Sequence, residues 1–297
     1  MTTEAASPRA HRPKRDWANV ALFAWGIAVF VFLFLPIAMI VIFSFNTGRN
    51  LTVWSGLGIE GYQAFFSHSE PRSAVQVSLI VAVLSAGLAT ILGSLAGVAL
   101  ARRPGRWAAV FVFVVVLVLV TPEIVDAVAL LPWFVFLGQD LNLALFDDGY
   151  VRLIVSHAIF STAVVALIVR ARLAGLDESL EESAADLYAT PYRRFTQITL
   201  PLMLPAVLAG ALLSFTLSLD NTIISSFVSV KGATPWPVYV FSSVKSALRP
   251  EIASISTLMF LLTVLAIGLV AVVLKRGGGG ESSTNIAATM TGTTGAT

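Results

Sequence analysis

Six long apolar runs separated by polar gaps constrain this chain more than any other feature. A membrane-spanning helix needs roughly 20 consecutive, mostly apolar residues. Segments at about 17–45, 74–101, 107–137, 151–169, 202–230 and 252–274 supply them, and several are long enough to tilt or kink. Barrel strands would alternate with period two, and these runs do not. Of the 297 residues 57% are hydrophobic and 12% charged, at a mean hydropathy of +0.85, more apolar surface than a soluble domain can hide. The chain therefore reads as an all-α integral membrane protein with six transmembrane helices. It has no cysteine, which excludes disulfides and thiolate metal sites.

The loops assign the sides. Arg9, Arg12, Lys14, Arg15, Arg102, Arg103, Arg106, Arg170, Arg172, Arg193, Arg194, Lys275 and Arg276 fall in one set of loops, 13 basic residues in all. The other set holds Arg49, Arg72, Arg152, Lys231, Lys245 and Arg249, which is 6. The positive-inside rule puts the first set, and with it both termini, in the cytoplasm. The net charge of +2 thus reports orientation and not nucleic-acid binding. The basic, then apolar N-terminus is expected to be the first span and not a secretory signal, because its apolar run is too long and no small-residue cleavage site closes it. Residues 1–16 form a cytoplasmic tail, and the Gly-, Ser- and Thr-rich residues 277–297 are expected to be a disordered cytoplasmic tail.

Within the spans, ionisable residues are costly, at about 2.5–3.5 kcal/mol for a carboxylate at mid-membrane, and so point to function. Pro122 breaks the third run, and Glu123 and Asp126 follow it, three apart on one helix face. From Trp107 to Glu123 the helical rise is ~24 Å, which places the pair well inside the span. In the fifth run Asp220-Asn221 lies ~28 Å of helix from Pro201, at a comparable depth. Carboxylates at one depth suit a multiply charged cation. They also suit a cap on the kink or a structural network. Ala89, Gly93, Gly97 and Ala101, each four apart, are expected to let helices approach closely, within this chain or against another subunit. His157 fits helix packing better than ligation, and histidines 11, 68 and 157 are too dispersed for a metal. Trp17, Trp54, Trp107, Trp133 and Trp236 are candidate interfacial anchors. No Walker phosphate loop, G-x-S-x-G or H-E-x-x-H element occurs, so no cofactor, metal or catalytic residue is expected.

One polar, helix-prone loop, about 171–201, lies between two spans on the cytoplasmic side, within reach of a soluble partner. Asp177 is a candidate N-cap, and Leu180, Ala184 and Leu187 share a helix face. Glu182-Ser183-Ala184 and Ile198-Thr199-Leu200-Pro201 resemble the coupling loop of ABC importer permeases, which reads E-A-A, three residues, Gly, nine residues, I-x-L-P. Two positions depart from that pattern: Ser183 replaces the first Ala, and Tyr188 stands where the family has Gly. The likeness covers about Trp17 to Arg276. Ser44-Phe45-Asn46, Trp54-Ser55-Gly56-Leu57, Thr121-Pro122-Glu123-Ile124-Val125, Ser214 through Asn221 and Ser225-Ser226-Phe227-Val228 resemble the spermidine/putrescine branch.

The resemblance implies a type I importer permease fold over 17–276 and a subunit without its own ATPase site. An ATP-binding subunit (a dimer), a second homologous permease and an extracytoplasmic solute-binding protein would be its partners in the inner membrane lipid. It implies that Leu180, Glu182, Ala184, Asp186, Leu187 and Tyr188 meet the ATPase. Glu123, Asp126, Asp220 and Asn221 would line the path of a small molecule, a polyamine or else another organic amine, an opine, iron or a phosphonate. A secondary transporter would also carry charged residues in broken spans. A membrane-embedded enzyme would need a metal or nucleophile constellation, and none occurs.

Overall fold

In hydrocarbon every backbone N–H and C=O must be bonded within the chain, so the apolar runs become helices. The computed structural model describes residues 17–48, 53–103, 105–244 and 250–277. The expected tails, including Arg9 to Arg15, and the loop bearing Lys245 and Arg249 lie outside the described residues. Five helices are long and apolar enough to cross a membrane: α1 (Trp17–Phe43), α3 (Ser69–Arg102), α6 (Gly149–Ala174), α9 (Leu200–Asp220) and α12 (Pro250–Gly277). Shorter helices complete the chain: α2 (Glu60–Ser67), α4 (Arg106–Val120), α5 (Glu123–Val135), α7 (Ser179–Asp186), α8 (Pro191–Arg194), α10 (Ile223–Val228) and α11 (Trp236–Val244).

The expected third span is not one rod. Helices α4 and α5 meet at 103° across Thr121–Pro122, and the six-span expectation holds where this bent pair crosses as one span. Pro122 lacks an N–H and disfavours helical backbone at the residue before it; Thr121 is extended accordingly, at φ −62° and ψ 130°. The expected fifth span also stops early. Helix α9 ends at Asp220, Asn221 is extended, and α10 starts at Ile223. No Pro or Gly marks this break. Instead the Asn221 side chain leaves the helix pattern, its Oδ1 accepting from the Ser225 amide at 3.3 Å.

Helices α3, α6 and α9 pack against one another, and the small residues of α3 explain how closely it meets α6. A Cβ on Gly93 would come within 2.6 Å of the Val165 Cβ, and one on Gly97 within 2.8 Å of the Ala166 carbonyl. The expected seam is therefore within this chain, between α3 and α6. Buried Val77 and Val81 of α3, Ala127 and Phe134 of α5, Leu153 of α6 and Ile224 and Val228 of α10 form one core. Val165, Val169 and Leu173 of α6 with Met203 of α9 form another. Helix α1 leans on α12 and keeps an almost wholly exposed apolar surface, the condition of a helix bathed in lipid.

Two motifs acquire structural roles. Ser44 and Asn46 are buried where the chain turns back after α1. The Asn46 amide spans the turn, accepting from the Ser55 N–H at 2.9 Å and donating to the Val53 carbonyl at 2.8 Å. The Ser254 hydroxyl of α12 donates to the Ser44 carbonyl at 2.8 Å. Trp236 is not an interfacial anchor: it is 5% exposed, stacks on Tyr239, and its backbone N–H donates to the Ser78 hydroxyl at 2.7 Å. Trp17, Trp54, Trp107 and Trp133 are exposed.

Candidate functional site

The two breaks, at Pro122 and at Asn221, meet. The Asn221 Nδ2 of the α9–α10 link donates to the Glu123 Oε1 at the start of α5, at 2.7 Å. Glu123, Asp220 and Asn221 line one cavity of about 610 Å³, together with Thr216 of α9 and Ser256, Met259 and Phe260 of α12. The Asp220 carboxylate makes no hydrogen bond or ion pair to another described residue. Asp126 does not join them. It lines a separate cavity of about 350 Å³ with Trp133, Ser156 and Phe160. The two α5 carboxylates lie in its first turn, where the helix dipole favours negative charge, yet neither accepts a capping hydrogen bond from the backbone. Neither is paired with a basic side chain among the described residues.

A buried polar chain that sequence reasoning did not assemble supports this cavity from behind. His157 of α6 is 3% exposed and bonded at both ring nitrogens, Nδ1 to the Ser218 hydroxyl at 2.7 Å and Nε2 to the Ser225 hydroxyl at 2.9 Å. The Ser85 hydroxyl of α3 donates to Ser218 at 3.0 Å. Ser225 is in turn the residue whose amide Asn221 holds. Four helices are thus tied to the Asn221 turn by hydroxyls and one imidazole, which fixes the break in a site where an unpaired polar group would be costly. The expectation that His157 packs between helices fits this placement. Its partners lie 61 and 68 residues away and carry no local signal.

The polar loop folds as a short helix with two different sides. Helix α7 begins beside Asp177, whose Oδ1 accepts from the Ser179 amide at 2.9 Å. That amide and the Ser179 hydroxyl hold the Asp177 carboxyl below the usual carboxylate range. Stability from this bond is present above the ordinary value and lost as pH falls through the lowered one. The helix ends in a paired closure, with the Ala189 amide bonded to the Ala184 carbonyl at 3.0 Å and the Tyr188 amide to the Ala185 carbonyl at 2.9 Å. This is a Schellman motif, and its C′ residue must take a left-handed backbone. Tyr188 takes it, at φ +59°.

Outward, α7 and its exit expose Leu180 (50%), Leu187 (82%) and Tyr188 (95%), with Glu182 and Asp186 also exposed and Ala184 half-buried. Inward, Glu181 faces the bundle. Its Oε1 accepts from Arg102 Nη2 at 2.5 Å and from the Thr199 hydroxyl at 2.7 Å, while Arg102 Nη1 reaches Glu178 at 2.9 Å. No local sequence signal marks Glu181 over its neighbour Glu182, because its partner Arg102 lies 79 residues away.

A bundle of apolar helices around a carboxylate-lined cavity, with a short acidic helix on a polar loop that exposes Leu180 and, at its exit, Leu187 and Tyr188, fits the membrane subunit of a transport assembly. The family model for binding-protein-dependent transport system inner membrane components matches residues 89–277, and the chain belongs to that family. It is 42% identical over 241 residues to the putrescine transport system permease protein PotI of Escherichia coli K12, covering 79% of this chain and 85% of PotI. It is 35% identical over 240 residues to the spermidine/putrescine transport system permease protein PotC of the same organism, covering 81% of this chain and 88% of PotC. A bacterial alginate ABC transporter, solved with an alginate pentasaccharide-bound periplasmic protein, has a chain with the same fold. The TM-score is 0.68 at 16% identity, covering 88% of this chain and 95% of that one. The inward-facing MetNI methionine ABC transporter also matches, with a TM-score of 0.59 at 17% identity over 69% of this chain and 94% of that one. The chain is thus a multi-pass transport permease of the type I ABC importer fold. The family match favours this reading over a secondary transporter.

Proposed function

We propose that this permease forms one half of the membrane pathway of an ATP-driven importer of polyamines. The observation that carries the proposal is the cavity at the two helix breaks, where Glu123 and Asp220, which has no side-chain partner among the described residues, face one space beside Asn221. A polyamine carries charges spaced along a flexible chain, so it can be met by carboxylates one after another. Relatives at 35–42% identity named for putrescine and spermidine support the same substrate class. Asp126, in its own cavity beside Trp133, offers a further negative station on this path. Attraction at each must stay modest, because tight binding would hold the cation instead of passing it on.

The second half of the pathway is a homologous permease, and a solute-binding protein delivers substrate from outside. Both termini and residues 171–201 face the cytoplasm, where an ATPase dimer docks on α7. Glu182 and the exposed Leu180, Leu187 and Tyr188 make that contact, since an apolar patch on a polar loop outside the membrane fits a partner surface better than water. ATP-driven closure of the partner tilts the spans and switches the cavity from outward to inward access.

The test is uptake of labelled putrescine by cells carrying Asp220→Asn, Glu123→Gln and the double variant, each at normal expression and with the ATPase still co-purifying. Uptake falls about tenfold in the double variant if these carboxylates meet the cation, equal to about 1.4 kcal/mol of lost stabilisation. Unchanged uptake would make them structural.

A further inference from the structure

Glu181 and Glu182 are neighbours on α7 with opposite surroundings: Glu182 is exposed, and Glu181 is turned to the bundle with a side chain 27% exposed. One Glu181 oxygen joins three elements. Through Arg102 it is bonded to the last turn of α3, and through Thr199 to the wide helical turn Phe195–Thr199 that runs directly into α9. Thr199 is buried, at 4% exposure, and Arg102 reaches back with its other nitrogen to Glu178 at the start of α7. Both bonds to Glu181 are charge-assisted, and each partner of its ion pair with Arg102 is held by a second group. Neither side chain of that pair is freely solvated, Arg102 being 19% exposed, so salt and water screen it less than an open surface pair.

Beyond Thr199, α9 runs unbroken for 21 residues, with Pro205 inside its first two turns, and spans ~30 Å to Asp220, one of the residues lining the cavity. A displacement of α7 therefore reaches the cavity by a short physical path: α7 to Glu181, Glu181 to Thr199, and Thr199 along α9 to the Asp220–Asn221 break. Arg102 supplies the counter-hold on α3, whose Gly93 and Gly97 bring it into direct contact with α6. The rest of the junction between α7 and the bundle is thin. Leu180, Leu187 and Tyr188 point into solvent, and no residue of α7 is buried.

We propose that the Arg102–Glu181–Thr199 cluster is the mechanical link that transmits movement of α7 to the cavity through α9, with Glu181 and Arg102 acting as positioning residues. The link rests on the proposal that an ATPase docks on α7, and it assigns the two adjacent glutamates separate duties: Glu182 faces the partner, Glu181 grips the bundle.

The test uses the assembled importer in proteoliposomes, with its ATPase, companion permease and solute-binding protein, and reads putrescine moved per ATP hydrolysed. Arg102→Glu and Glu181→Arg each retain the ATPase on affinity purification but lower that ratio about tenfold, the effect of a coupling free energy of about 1.4 kcal/mol. The charge-swapped double variant recovers part of it, because Glu178 repels a carboxylate at position 102. Arg102→Lys, which keeps the charge but cannot span Glu178 and Glu181 together, and Thr199→Val, which removes one hydroxyl, give partial losses without a risk to folding. A wild-type ratio in the single variants overturns the proposal, and so does a swap that stays as poor as its parents. Failure of the docking proposal looks different: the ATPase is then absent from the wild-type chain, and the link loses its role with it.

Discussion

Tyr188 stands where the family places glycine, and the structure gives the physical reason for the glycine. The residue closes the Schellman motif of α7 at φ +59°, a conformation that costs a non-glycine residue about 1–2 kcal/mol. The turn is kept and the strain accepted. Tyr188→Gly removes the strain but gives the unfolded chain more freedom, which offsets about 0.4–1 kcal/mol of the gain. Because the Tyr ring is 95% exposed, little packing is lost. The expected outcome is a small rise in thermal stability with putrescine transport unchanged. Transport that rises on restoring Gly would show that the ring obstructs docking. Glu182, by contrast, has no partner among the described side chains to lose. Glu182→Lys should reduce ATPase association or substrate-stimulated hydrolysis while the spans stay folded. Unaltered hydrolysis and uptake in a correctly inserted Glu182→Lys protein would discard the contact.

At the scale of elements, the α3–α6 contact is a close one that tolerates no added volume. A side chain at Gly97 would press on the Ala166 carbonyl and on Val169 at 2.8 Å, so Gly97→Val should cost about 1–3 kcal/mol and lower the unfolding temperature in detergent. A Cβ added at Gly87, on the same helix, would meet nothing within 4 Å, so Gly87→Ala should be neutral or stabilising by up to about 1 kcal/mol. Equal responses at the two positions would mean that helix propensity and not packing governs this seam. The α4–α5 bend was legible as a kink from Pro122, but not its size. The end of α9 was not legible at all, since Ser218-Leu219-Asp220-Asn221-Thr222 holds no helix breaker and the break is made by bonds to Glu123 and Ser225.

For the whole molecule, the distribution of Lys and Arg predicts which ends of the bundle face the cytoplasm, 13 residues against 6. Reporter fusions after Arg103, Arg194 and Arg276 should report cytoplasm, and fusions near Gly58 and Lys245 the outside. That pattern requires the bent α4–α5 pair to cross as one span. Fusions on either side of the pair that report the same compartment would make it a re-entrant loop and leave an odd number of crossings, contrary to cytoplasmic ends at both termini.

The sequence by itself determined the class, the helices and the surface loop. Long apolar runs, a basic-residue bias and the Glu182 to Pro201 pattern are local features, and a bilayer leaves such segments little choice but to span as helices. It also identified Glu123, Asp220 and Asn221, because a charge or amide in an apolar run is conspicuous wherever the run packs. Only the tertiary structure decided which of them share a cavity and which do not. Glu123 and Asn221 are 98 residues apart, yet they are bonded, while Glu123 and Asp126 are three apart and line different spaces. The Arg102–Glu181–Thr199 cluster and the His157 chain are likewise contacts between helices distant in sequence. Their partners are set by how α3, α6 and α9 pack, and helical periodicity within any one segment carries no information about that packing.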